Sequence, residues 1–139
     1  MNIRLIGLGL IVAVALNACG SSGNANESLK DEIIAIHDEV MPEMGKLQSL
    51  QKEFLEQAEQ LEQEDSLSHE EDIAQLRNMA AELEEAYDGM FVWMRQFDTE
   101  YGDMTEEEIA AYLQGQKEMV EKVNVDIKNA LEKAEEHQP

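Results

Sequence analysis

Three side chains with soft donor atoms stand at helical spacing in the first half of the chain. His37, Met41 and Met44 occupy positions i, i+4 and i+7, which lie on one face of a helix. An imidazole nitrogen combined with thioether sulfurs suits Cu(I). The same residues also suit a core in which methionines fill space beside Pro42 and the imidazole bonds a carbonyl or Tyr101. The spacing therefore indicates either a Cu(I) site or a purely structural cluster.

The N-terminal residues have the pattern of an export signal. Arg4 precedes an unbroken apolar run from Leu5 to Leu16. As a helix this run would extend only about 18 Å, well short of the ~30 Å hydrocarbon core of a bilayer. Such a length is typical of a secretory signal rather than of a membrane-spanning helix. We therefore assign residues 1–18 to a cleaved signal peptide.

The only cysteine of the chain follows this apolar run. The sequence Leu16-Asn17-Ala18-Cys19 resembles the lipobox of bacterial lipoproteins, in which the signal is cut before the cysteine and the thiol carries a diacylglycerol. Leu16, Ala18 and Cys19 match that motif, whereas Asn17 stands where a small or hydroxyl residue is usual. The resemblance implies a type II signal peptide and lipidation of Cys19. The alternative is an ordinary secretory signal followed by an unrelated cysteine.

A lipidated Cys19 implies a location and a membrane contact. The acyl chains would hold the protein on a membrane face, each buried methylene contributing about 0.8 kcal/mol. Gly20 takes the position at which an aspartate signals inner-membrane retention, so the resemblance favours the outer membrane. The sequence after Cys19 lacks the acidic run that directs some lipoproteins to the cell surface, which favours a periplasm-facing orientation. Residues 19–27 are then expected to form the acylated cysteine and a flexible tether.

Composition excludes several classes of function. The 139 residues include 31 acidic and 10 basic side chains, and the formal charge of −21 excludes a nucleic-acid-binding protein, which needs a basic surface. The single cysteine excludes a disulfide framework and a multi-cysteine metal site. Lipidation would consume that thiol, and the sequence has neither a Ser-His-Asp spacing nor a phosphate-binding glycine loop. We therefore expect no enzymatic activity and no cofactor other than the covalent lipid.

Apolar residues recur at alternating steps of three and four in three long segments, and each such row is called a seam. The seams run from Ile33 to Leu61, from Ile73 to Tyr101 and from Ile109 to Ala134. A period of 3.5 residues held over about four heptads favours supercoiled packing of helices. If the first two segments fold back on each other at the short break between them, His37 is expected to lie level with Met94 along the bundle.

Capping signals and short breaks define the helix ends. A hydroxyl residue stands three positions before an acid near the start of each segment, in the pairs Ser28 and Asp31, Ser68 and Glu71, and Thr105 and Glu108. Short breaks make neighbouring helices antiparallel. The sequence thus predicts an all-α, antiparallel up-down-up three-helix bundle over residues 28–139, with helices near 28–62, 69–100 and 106–136. Pro42 is expected to kink the first helix.

An apolar block interrupts the charged surface of the second predicted helix. Residues 90–94 read Met-Phe-Val-Trp-Met and present apolar side chains on every side of the helix. In a thin bundle this block predicts an exposed patch at Phe91, Val92 and Trp93 that binds an envelope protein, a second copy of the chain or the membrane interface. The alternative is that Phe91 and Trp93 only widen the core. In either case Val92 is expected to point outward.

A second resemblance to known proteins is carried by three segments, which are residues 37–42, residues 90–94, and Tyr112-Leu113 with Gln116-Lys117. Through them the mature chain resembles a set of small, uncharacterised helical lipoproteins from bacteria with an outer membrane, some of them labelled after a viral A-type inclusion protein repeat. That label reflects heptad similarity and implies no activity. The sequence predicts a lipid-anchored helical interaction or structural module of the cell envelope. A Cu(I)-binding or copper-sensing periplasmic lipoprotein using His37, Met41 and Met44 is the alternative.

Overall fold

The computed structural model describes residues 22–137, and most of this range is helical. The elements are α1 (Ser22–Val40), a 3-10 turn (Met41–Glu43), α2 (Met44–Asp65), α3 (Glu70–Gln96) and α4 (Glu106–Glu136). Residues 22–137 contain no β-strand, so the predicted all-helical class is confirmed. Only the short turn separates α1 from α2, and a count of three helices fits this order. Pro42, which has no backbone N–H to donate, lies within that turn.

The helices pack in pairs around one core. α1 packs mainly against α4, α2 packs mainly against α3, and α3 also contacts α4. Most seam positions are buried, among them Ile33, Val40, Leu47, Phe54, Leu83, Met90, Leu113, Val120 and Ile127. The core is broader than the seams, because Leu50, Ala86, Trp93 and Leu131 are buried as well. A helix that contacts two neighbours buries a wider stripe than the two positions per heptad of a simple coiled coil.

The start of α4 has the predicted capping box. The Glu108 backbone N–H donates to Thr105 Oγ1 at 3.3 Å, and the Glu108 carboxylate accepts from the Thr105 backbone N–H at 2.8 Å. The bond from the Thr105 N–H, followed by one from the Thr105 hydroxyl to the same carboxylate, lowers the pKa of Glu108. The other two predicted caps are not formed: Ser28 lies inside α1, and the hydroxyl of Ser68 donates to Asp65.

Two helix ends differ from the predicted ones. α1 already includes residues 22–27, which the sequence assigns to the second half of a flexible tether. The side-chain amide of Asn26 is the reason, because Nδ2 donates to Glu106 O at 3.0 Å and Glu106 Oε2 at 2.8 Å and so docks α1 on α4. α3 ends at Gln96 rather than near residue 100, because Tyr112 OH donates to Gln96 O and accepts from the Asp98 backbone N–H.

Polar contacts align α1 with α4. Glu32 pairs with Lys117 at 2.8 Å, and Glu39 pairs with Lys128 at 2.7 Å. Asn124 is buried between the helices, and its Nδ2 donates to Ile36 O at 3.1 Å and to Glu39 Oε2 at 2.9 Å. The hydrogen bond from Lys128, followed by the one from Asn124, lowers the pKa of Glu39. A buried amide with two partners favours one register of α1 on α4.

Folding stability is expected to depend on pH through Glu39. A carboxylate whose pKa is lowered by folding stabilises the folded state above its unfolded pKa, and this contribution is lost as the pH falls through the folded pKa. Glu39→Gln should therefore lower the melting temperature at neutral pH, and this deficit should shrink as the pH falls through the folded pKa of Glu39. Thermal melting followed by circular dichroism measures the difference. Glu59→Gln on the exposed side of α2 is the control, and a Glu39→Gln deficit unchanged in acid would contradict the assignment.

Candidate functional site

A shallow groove lies between α1 and the end of α3. Its walls are Ile34, His37 and Asp38 from α1, and Trp93, Met94 and Phe97 from the end of α3. Its volume is about 270 Å³, and four of its six lining residues are apolar. The groove exists because α1 packs mainly on α4 in this half of the molecule, not on α3. His37 and Met94, which the sequence sets level with each other, both line this groove.

Stacked aromatic rings form the base of the groove. The Trp93 ring stacks on Phe97 with centroids 5.1 Å apart and an interplanar angle of 18°. The His37 ring lies 5.7 Å from Trp93 in a tilted arrangement. Trp93 is only 4% exposed, and its indole N–H has no hydrogen-bond partner within residues 22–137. These rings give the groove a rigid apolar base with large contact area.

Flexible apolar side chains and one acid form its rim. Ile34 is 38% exposed on the α1 side, and Met94 is 39% exposed on the α3 side. Asp38 points into solvent, and its Oδ1 lies 2.8 Å from Nδ1 of His37. The groove therefore combines an apolar base, an adaptable methionine and a negative charge at one edge.

The three residues of the predicted partner patch have different environments. Val92 is 43% exposed, as expected from its outward position. Phe91 is half-buried, with its ring 4.9 Å from that of Tyr87. Trp93 is a core residue rather than an exposed contact, which agrees with the alternative that it widens the core. The patch prediction therefore needs correction at Trp93, because this helix turns its indole towards α1 and His37.

Sequence reasoning missed Ile34, which supplies the α1 side of the groove. The pair Ile33-Ile34 could have indicated this position. Adjacent residues on a helix point about 100° apart, so only one of the two isoleucines can occupy the seam. Ile33 is fully buried, so Ile34 is left at the surface.

The predicted Cu(I) ligands lie in three different settings. His37 engages Asp38 through Nδ1, and Met44 is buried in the core. Met41 lies in the 3-10 turn and packs partly against the core. A 3-10 turn has about 3.0 residues per turn, so the regular spacing of one α-helical face does not continue through it. Residues 22–137 contain no cluster of three or more His, Cys, Asp or Glu side chains suited to a metal ion. The Cu(I) site stays a prediction.

A second cleft, of about 280 Å³, lies between α3 and α4. Its charged residues largely pair with each other: Lys133 bonds Glu82, and Lys122 bonds Asp126. Ion pairs of this exposure add little stability and leave little net charge for a ligand. The cleft is therefore a weaker candidate than the apolar groove.

Comparisons with known proteins return no match: no protein-family model, no curated protein and no solved structure is similar to this chain. In the part of the chain that the structure describes, none of the helices combines the length and the apolar character needed to cross a bilayer. Cys19 and the apolar run before it lie outside the described residues.

Proposed function

We propose that this protein is a lipid-anchored helical interaction module of the bacterial cell envelope, held by Cys19 to the outer membrane and facing the periplasm. The observation that supports an interaction role is the apolar groove between α1 and α3 in a chain of formal charge −21. Apolar side chains that line a concave surface with a polar rim are a common feature of protein contact sites. The lipobox resemblance at residues 16–19 supports the anchor. The module has no catalytic role.

The helices of this module run up, down and up, and the first one bends at Pro42. The first predicted helix corresponds to α1 and α2. Along it and along α4, the residue numbers of the contacting pairs increase together, in the order Asn26–Glu106, Glu32–Lys117, Glu39–Lys128 and Lys46–Glu135. Contacts between α3 and α4 run in opposite order, since Gln96 meets Tyr112 whereas Glu82 meets Lys133. These two patterns support a parallel pair α1–α4 and an antiparallel pair α3–α4.

In this proposal the groove lies in the half of the module that is joined to the anchor. Twelve residues of helix separate Ser22 from Ile34, which corresponds to about 18 Å along α1. The acids at the turn between α2 and α3, among them Glu64, Asp65, Glu70 and Glu71, then form the pole farthest from the lipid. Removal of Arg4 with the signal peptide changes the formal charge from −21 to −22. This negative charge keeps the helical bundle soluble and repels it from an anionic membrane leaflet.

Photo-crosslinking in intact cells tests the interaction role. A photoreactive residue at Met94, which lines the groove and is 39% exposed, is expected to form a discrete crosslinked product with an envelope protein. The matched control position is Leu55 on α2, which is 40% exposed and lies away from the groove. Equal products from both positions would indicate random collisions, and a chain without crosslinked neighbours at Met94 would contradict the proposed function.

A further inference from the structure

We infer that the groove between α1 and α3 binds an amphipathic helix of a partner protein whose apolar side chains are flanked by basic residues. This inference rests on the proposed interaction function and names the partner's chemistry. At about 270 Å³ the groove is smaller than the ~300–1,000 Å³ typical of small-molecule sites, and it is open to solvent. Such a shape accepts side chains that project from a neighbouring helix.

The apolar contacts fit the helix-in-groove mode of recognition. Ile34 and Met94 stand on opposite sides of the groove, each more than one-third exposed, above the stacked rings of Trp93 and Phe97. An amphipathic helix offers apolar side chains at i, i+3, i+4 and i+7, which can enter a groove between two other helices. The flexible Met94 can adapt to side chains of different shape.

Charge selects the class of partner. Asp31, Ile34 and Asp38 share one face of α1, at steps of three and four residues, and both acids are exposed. Arg95 lies on the opposite side next to Met94, and Lys30 on α1 pairs with Glu27, so Asp31 and Asp38 leave the α1 edge acidic. A basic side chain that crosses the α1 edge would be attracted by both carboxylates.

The same charge disfavours a second copy of this chain. Two molecules of formal charge −21 repel each other, and a contact of groove with groove would bring the two Asp38 carboxylates together. An anionic lipid surface is disfavoured for the same reason. A basic amphipathic helix is the occupant that both the apolar groove and its acidic edge favour.

Trp93 gives a direct readout because it is the only tryptophan of the chain and lines the groove. The protein is the full mature chain, residues 19–139, with Cys19→Ser to avoid lipid and detergent. The probe is a helical peptide of about 18 residues, with leucines on one face and lysines on the other and no tryptophan. Its controls are a peptide of equal composition with permuted order and a peptide with glutamates in place of lysines. Binding is measured from Trp93 emission and from the anisotropy of labelled peptide at about 0.15 M salt.

We expect the leucine-lysine peptide to bind and to shift Trp93 emission, whereas the two control peptides bind at least about tenfold more weakly. Ile34→Glu should weaken binding at least about tenfold, and Met94→Glu should do so from the other side of the groove. Leu55→Glu, at a position of matched exposure on α2, should change affinity less than about twofold. Circular dichroism confirms that each variant keeps its helices.

Equal affinity of Ile34→Glu, Met94→Glu and Leu55→Glu would overturn the inference, because binding would then reflect general attraction to an acidic surface. Equal binding of the permuted peptide would overturn it in the same way. A stable dimer that Met94→Glu dissociates would assign the groove to a second copy instead. Failure of peptide binding with retained crosslinking from Met94 would remove this partner class and leave the proposed function standing. Loss of both would remove the proposed function as well.

Discussion

Trp93→Ala is expected to lower the free energy of unfolding by about 3–5 kcal/mol, the usual cost of truncating a large buried aromatic side chain. Trp93 is 4% exposed and stacks on Phe97, so the substitution would remove core contacts and leave a cavity at the base of the groove. Urea denaturation followed by circular dichroism measures this loss. The same substitution would also weaken partner binding. The cause would be disrupted packing beneath the groove rather than the loss of an exposed contact.

The neighbouring residue gives a matched control for this effect. Val92→Ala, at an exposed position one residue away, should change the free energy of unfolding by less than about 0.5 kcal/mol. Trp93→Phe should recover part of the stability, since it keeps an aromatic ring against Phe97 and removes an indole N–H that has no partner among residues 22–137. A Trp93→Ala variant as stable as Val92→Ala would show that the indole is not part of the core.

Cys19→Ser is expected to abolish incorporation of fatty acid into the protein. A serine hydroxyl lacks the nucleophilic thiolate that accepts the diacylglycerol, and Cys19 is the only thiol in the chain. The anchor would be lost with it, because each buried methylene contributes about 0.8 kcal/mol to membrane binding. Metabolic labelling with a fatty-acid analogue, followed by purification of the protein, measures the effect directly.

Ser21→Ala serves as the matched control, since it changes a hydroxyl residue two positions away and leaves the thiol intact. It should be labelled as strongly as the natural chain. An unlabelled natural chain would favour the alternative of an ordinary secretory signal. Equal labelling of Cys19→Ser would place the lipid at another residue and contradict the lipobox assignment.

The periodicity of the sequence was sufficient to predict an all-helical chain with three long segments. Heptad seams depend on the repeat of apolar residues, which is a local property, and positions such as Ile33, Leu83 and Val120 are buried as predicted. The helix ends depend on contacts between segments distant in sequence. Asn26 with Glu106, and Tyr112 with Gln96, join residues 80 and 16 positions apart, so no local pattern reveals them.

The site was harder to predict than the fold for a related reason. Residues 90–94 are all apolar, so the sequence alone does not determine which of them face inward. That choice depends on the rotation of α3 against α1 and α4, which buries Met90 and Trp93 and leaves Val92 and Met94 exposed. The groove also needs Ile34 from a helix about 60 residues earlier in the chain, and only packing brings these side chains together.

Native mass spectrometry of the protein purified from the cell envelope is the most direct test of a lipid-anchored interaction module. We expect a chain that begins at Cys19, carries acyl groups and binds a partner protein that is lost on Ile34→Glu and retained on Leu55→Glu. One spectrum reports signal cleavage, acylation and partner binding together. A chain without acyl groups, or an acylated chain that carries no partner in its natural form, would contradict the proposal.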